Sequence, residues 1–231
     1  MTTRRYEQRL RAQSADETRR RILDAASDRL REAPSQPLNV DRVARTAGVA
    51  RSTVYLVFGS RAGLFDALRE DLVERSGLAR LIEAVQHPDA REHLRGGIRA
   101  GAEMFAADRD LFRALTSMSA LDDEAVGGAM RRGEAVRARG MARLARTLDE
   151  QGLLLDGLRA ERAADVLWML TSFDAFDLLY TGRGLPLDDV VEVLTETAER
   201  SVCRPAGARP SRPRRAPKPS GPAPGSAPRR R

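Results

Sequence analysis

The chain has 231 residues, of which 40 are Lys or Arg and 33 are Asp or Glu, giving a net charge of +7, and 42% are hydrophobic. That apolar share supports a packed core and excludes a chain disordered throughout. Ahead of the C-terminal tail the longest uncharged run is residues 52–60, and the only cysteine is Cys203, which excludes a membrane-spanning helix of roughly 20 apolar residues, an internal disulfide and a cysteine-based zinc site.

Residues 1–13 carry Arg4, Arg5, Arg9 and Arg11 with no apolar run behind them. This argues against a secretory leader and for a cytoplasmic protein. The segment reads either as a basic arm that follows phosphates or enters a minor groove, or as a solvated terminus. Ser14 with Glu17 fits a capping box. It opens a helix whose apolar positions Ile22, Ala25, Ala26 and Leu30 step by three and four. Arg19, Arg20 and Arg21 then fall early on that helix, where the dipole disfavours positive charge, a placement that favours a phosphate partner. Pro34 and Pro37 end it.

Asn39 is placed to cap a short helix over 40–47, which Gly48 closes in a left-handed conformation. A second short helix is expected over 51–57. Ser60 then caps a longer helix carrying Leu64, Leu68 and Leu72 at a spacing of four. Further helices are expected at 88–107, 108–120, 122–151 with a break near Gly127 and Gly128, 160–181 and 186–203. Gly152, Gly157, Gly182 and Gly184 with Pro186 mark turns. No alternating strand pattern occurs, so the fold class is all-α. From 204 onward, nine basic residues, no acid and eight prolines describe a disordered basic tail.

Charge divides the chain. Residues 1–60 have a net charge of +5, residues 61–203 have −7, and residues 204–231 have +9. A basic head seeks polyanions, whereas an acidic body is repelled by them. The head also holds the sharpest constellation. Two short helices around one tight turn, behind a longer helix, have the layout of a helix-turn-helix. Val43, Ala44, Val54 and Phe58 would form its small core, and Val49 would plug the turn. Arg51, Ser52, Thr53 and Tyr55 would face outward, with chemistry suited to guanine edges and phosphate oxygens. The plainer alternative is a pair of core helices with a solvated polar face.

The segment RRILDAASDRL…NVDRVARTAGVARSTVYLVFGSRAGLFDAL resembles the DNA-binding domain of the TetR (tetracycline-repressor) family of transcriptional regulators. The matching positions are Ile22, Ala25, Ala26, Val43, Ala44, Ala47, Gly48, Val49, Thr53, Val54, Tyr55, Phe58, Ser60, Arg61, Leu64 and Phe65. The resemblance implies that Thr53 and Tyr55 touch phosphates, that Arg51 and Ser52 face bases, and that Arg61 reaches the backbone. With Asn39 at the entry of the first short helix, these form the expected DNA-binding set. Three positions depart from the family pattern. Ala50 replaces a Ser cap, Val57 replaces a His or Tyr, and Arg61 replaces a Lys.

The resemblance implies a ligand-responsive, sequence-specific DNA-binding regulator, most simply a repressor released from its operator by a small molecule. It divides the chain into an arm (1–13), a helix-turn-helix domain (14–60), a helical ligand-binding and dimerisation domain (61–203) and the tail (204–231). Its partners would be a double-stranded operator, an effector and a second copy of the chain, joined through the segments at about 160–181 and 186–203. In the first of these, residues 163–180 are apolar on almost every face. In the second, Val190, Leu194, Ala198 and Val202 form one stripe.

Met104, Phe105, Phe112, Met118, Met141, Trp168, Phe173 and Phe176 are the candidates for a pocket suited to an apolar or aromatic ligand. Asp174 and Asp177 interrupt an apolar stretch and need solvent, an arginine or a cationic ligand. No cofactor, metal site or catalytic pair is expected. His87 and His93 read as surface residues. Asp122, Asp123 and Glu124 read as acids of a first helical turn. Gly96, Gly97 and Gly101 lack the Lys-Ser/Thr of a phosphate loop. Two rivals stand beside this reading: a non-specific architectural DNA-binding protein driven by the basic ends, and an enzyme in the helical body.

Overall fold

The computed structural model describes residues 2–34, 36–119 and 123–205. Among these, the regular elements are helices, and the sole β-pairing is an isolated bridge between Leu154 and Cys203. In chain order they are α1 (Thr2–Glu32), α2 (Val40–Thr46), α3 (Arg51–Phe58), α4 (Arg61–Ala84), α5 (Ala90–Ala107), α6 (Arg109–Ser119), a π-turn (Asp123–Gly127), α7 (Gly128–Glu150), α8 (Ala160–Leu170), α9 (Phe173–Asp177), a second π-turn (Leu178–Gly182) and α10 (Leu187–Val202). No helix among the described residues is long and apolar enough to cross a membrane. Asp122, the side chains of Arg4, Arg5, Arg9 and Arg11, and the tail from residue 206 lie outside the described residues.

Helix α1 corrects two expectations. It begins at Thr2 rather than at Ser14. Residues 2–13 contain no Gly or Pro, so nothing stops the helix from extending upstream. Ser14 is therefore interior, and its carbonyl accepts from Thr18 Oγ1 at 2.8 Å. Arg19, Arg20 and Arg21 therefore sit mid-helix, away from the N-terminal dipole, and their placement does not point to a phosphate partner.

The short helices form as expected. Asn39 Oδ1 accepts from the amides of Asp41 and Arg42 at 2.8 and 3.2 Å. Gly48 turns the chain at φ +67°. Val49 N donates to Ala44 O at 3.0 Å and closes the turn. Ala50 precedes α3 with no side-chain cap. Ser60 Oγ caps α4 by accepting from Gly63 N at 3.0 Å. Helix α4 then bends at Gly77, whose φ of +130° lies outside the range an L side chain adopts comfortably.

The expected single helix over 160–181 is broken. Thr171 Oγ1 donates back to Leu167 O, and Ser172 Oγ donates to Met169 O while capping Ala175 N. These local hydroxyl bonds compete with helix continuation. The chain restarts as α9 and then widens into the π-turn.

Two apolar cores result. The first joins Ile22, Val43, Ala44, Val54, Leu64 and Leu72 to Leu111, Leu115, Met118 and Val126. It therefore runs from the helix-turn-helix into the foot of the body. The second joins Leu94, Leu144, Leu148, Leu167, Phe176 and Val190. Phe105 and Phe173 pack against both. The stripe Val190, Leu194, Ala198 and Val202 is 0–6% exposed and belongs to this second core. It is used within the chain and is not a surface for another copy.

Candidate DNA-binding surface and ligand cavity

Helix α3 buries Val54 (2% exposed) against Val43 and Ala44, and Val57 and Phe58 pack partly against the same core. Its opposite side faces solvent. Arg51 and Ser52 are exposed, while Thr53 and Tyr55 are half-buried. Arg51 is already engaged: its Nη1 donates to both Asp41 carboxylate oxygens at 3.1 and 3.0 Å, and its guanidinium lies 5.6 Å from the Tyr55 ring centroid. The Tyr55 hydroxyl, followed by the charge of Asp41, raises the Arg51 pKa above its ordinary value. Arg61 is likewise held at the start of α4. Its Nη2 donates to Leu38 O at 3.4 Å and it stacks over Phe65. Asn39 is exposed but spends its side-chain oxygen as a cap.

Sequence reasoning missed Leu56. It is 85% exposed on α3, the most exposed large apolar side chain described. Its spacing of four from Ser52 was the available signal. The arginine cluster of α1 contributes Arg19, whose guanidinium sits 5.0 Å over Phe58 and so braces the end of α3.

The body holds a partly open cavity of about 90 Å³ between α4, α5, α7 and the end of α8. Met104, Phe105 and Met141 border it. Phe176, with Phe105, borders a neighbouring void of about 20 Å³ that shares Gly97, Gly101 and Thr171. The other four candidates lie elsewhere. Met118 and Phe112 are buried in the first core. Phe173 stacks on Phe112 at 5.8 Å. Trp168 is 42% exposed beneath the Arg137 guanidinium.

Three polar residues reach the cavity: His93, Arg137 and Thr171. Arg137 donates to Glu134, to Thr171 Oγ1 at 3.0 Å, and to Trp168 O, which ties α7 to the end of α8. His93 is half-buried at the cavity wall, which corrects its reading as a surface residue. Burial, then Arg143 and His87, pushes its pKa below the ordinary histidine value. Gly101 leaves room in the same wall, since a Cβ there would meet nothing within 4 Å.

Asp177 is 4% exposed and finds its partners within the chain. Arg109 Nε donates at 2.7 Å, Arg113 donates to the other oxygen, and Thr181 Oγ1 donates at 2.8 Å. Asp174 is exposed. No group of three or more His, Cys, Asp or Glu side chains is arranged to hold a metal ion among the described residues.

Residues 22–68 match the model of the family described as bacterial regulatory proteins, tetR family. No curated protein matches the chain in sequence. Among solved structures, native NalD, the secondary repressor of the MexAB-OprM multidrug efflux pump in Pseudomonas aeruginosa, aligns with a TM-score of 0.65 and 23% identity, covering 84% of this chain and 100% of its own. A TetR family transcription regulator from Marinobacter aquaeolei aligns at 0.61 and 18%, covering 83% and 98%. A TetR-like transcriptional regulator from Rhodococcus sp. RHA1 aligns at 0.58 and 21%, covering 80% and 94%. At these identities the likeness establishes a shared fold across the body as well as the head.

Proposed function

From the premise that this chain belongs, through its N-terminal domain, to the tetR family of bacterial regulatory proteins, we propose that it is a ligand-responsive, sequence-specific DNA-binding repressor acting as a homodimer. The observation that carries this is α3, a capless but well-anchored helix whose outer side offers Ser52, Thr53, Tyr55 and Leu56, in a chain whose first 60 residues carry a net charge of +5. One such helix reads too few base pairs, and a two-fold dimer spaced at about 34–36 Å doubles the site. Support for the dimer face comes from adjoining helices. Trp168 and Met169 on α8 and Val193 on α10 are 42–57% exposed, and α8 packs beside α10.

The cavity is the proposed effector site. Its volume of about 90 Å³ is smaller than the ~150 Å³ that holds a benzene. A larger effector would be seated fully between these helices only by parting α5 from α7 and from the α8–α9 junction. A ligand that prefers the parted state shifts the population towards it, and the fall in DNA affinity equals its differential affinity for the two states. Helix α4 runs from the Ser60 cap beside α3 to the cavity wall at Leu81 and Val85, so it carries the displacement. Repression is the sign carried over from NalD.

The test is binding of the purified chain to the DNA upstream of its own gene and to a scrambled duplex, at physiological salt. A preference of about 10³-fold or more supports site-specific regulation. Equal affinity for that DNA, for the scrambled duplex and for every member of a random duplex library overturns it in favour of an architectural role.

A further inference from the structure

The geometry of α3 points to Leu56, with Ser52 beside it, as the base-reading pair, with Leu56 selecting thymine through its C5-methyl group. The inference rests on the DNA-binding reading above and deepens it. At about 100° per residue, Ser52 and Leu56 stand ~40° apart on the helix surface. They lie opposite Val54, Val57 and Phe58, which pack on the core, as the half-buried Tyr55 does in part. Helix α3 therefore presents this pair at the centre of its outer face. Arg51 and Tyr55 fall to one side and Thr53 to the other.

On one flank Arg51 and Tyr55 are already engaged. Arg51 is bonded to both oxygens of Asp41 and stacked on Tyr55. It is therefore drawn towards Asp41 on α2, away from the centre of the outer face. Leu56 has no such partner and is 85% exposed. An isolated surface leucine needs no explanation. This one sits mid-face on a helix, beside Ser52 and Thr53, in a chain whose first 60 residues carry a net charge of +5, and charge complementarity names a nucleic acid as the surface that covers it. In the major groove only thymine offers an apolar group, its C5-methyl. A leucine pressed against cytosine would instead bury the N4 amino group without a partner. Ser52, one turn away, supplies a hydroxyl that both donates and accepts for the adjoining base.

The experiment selects duplexes from a random library with the full chain and with Leu56→Ala, then rebuilds the enriched duplex with deoxyuridine in place of thymidine, one position at a time. That replacement removes the methyl group alone. The expected result is one thymine per half-site that wild type requires and Leu56→Ala does not. Deoxyuridine there weakens wild-type binding roughly fourfold per methyl, the worth of one buried carbon, and leaves Leu56→Ala unchanged. Wild type indifferent to deoxyuridine at every position overturns the inference, and so does a Leu56→Ala variant that loses equally on both duplexes. An enriched motif in either case leaves the regulator reading standing, whereas no enriched motif at all overturns both. An unchanged melting temperature for Leu56→Ala confirms that the exposed side chain supports no packing.

Discussion

Arg31, near the end of α1, and Asp108, at the turn between α5 and α6, meet through two hydrogen bonds, Nε to Oδ1 at 3.3 Å and Nη2 to Oδ2 at 2.6 Å. The pair joins the DNA-binding head to the body at a point set apart from α4. The next residue, Arg109, holds the buried Asp177 of α9, so the polar link continues to the aromatic group around Phe173 and Phe176 beside the cavity. The Asp108 hydrogen bond raises the Arg31 pKa above its ordinary value, and both side chains remain partly solvated. A double-mutant cycle on Arg31→Ala and Asp108→Ala is therefore expected to give a coupling of about 0.5–1 kcal/mol, shrinking as salt rises. Denaturant midpoints of the four proteins measure it, and strict additivity would remove this link.

Asp177 presents a different balance. Its carboxylate is nearly sealed, but of its two arginines Arg113 is 48% exposed and Arg109 24%. Asp177→Ala strands both cations at the edge of the core and also breaks the Thr181 bond. It should cost about 2 kcal/mol, below the 3–5 kcal/mol of a fully buried pair because the arginines can rehydrate. Arg113→Ala should cost under about 1 kcal/mol. Urea midpoints rank the two, and a larger loss from Arg113→Ala would contradict this account.

Local rules made much of the head legible. Asn39, Gly48 and Ser60 each carry a cap or turn chemistry that needs no tertiary context, and all three act as the sequence implies. The start of α1 was not legible, because Ser14 and Glu17 fit a capping box that an uninterrupted run of helix formers overrides. The body resisted for another reason. Its apolar residues follow the helical period whether they face the core, a cavity or another chain, so Met118 and Met104 look alike in sequence. Pairings distant in sequence decide the rest. Asp177 depends on arginines 64 and 68 residues away, and His93 becomes a cavity residue only once α7 packs across α5. Leu56 escaped notice because a leucine on a short helix reads as core.

Gly101 offers a test of the cavity itself. It lies inside α5, with an ordinary helical φ and no atom within 4 Å of a built Cβ. Gly101→Ala should raise stability by about 0.5–1 kcal/mol, since alanine restricts the unfolded chain and meets only the void. Gly101→Leu should fill the space, keep DNA binding and abolish any effector response that wild type shows. Thermal unfolding with DNA titrations checks both. A destabilised Gly101→Ala would mean that the wall has no room.

His93 supplies a pH dependence whose sign follows from its surroundings. Unfolded, its imidazole protonates near the ordinary value of about 6.5. Folded, burial first, then Arg143 and His87, lowers the pKa, so below about 6.5 the unfolded chain binds more protons than the native one. The stabilisation is therefore complete above that value and is lost as pH falls through the folded pKa. Replacing the ring by a neutral amide, His93→Gln, removes this contribution to the slope. Denaturant midpoints at pH 7.5, 6.5 and 5.5 should fall more steeply for wild type than for His93→Gln. Parallel curves would mean that water reaches the imidazole freely, which would also remove His93 from the cavity wall.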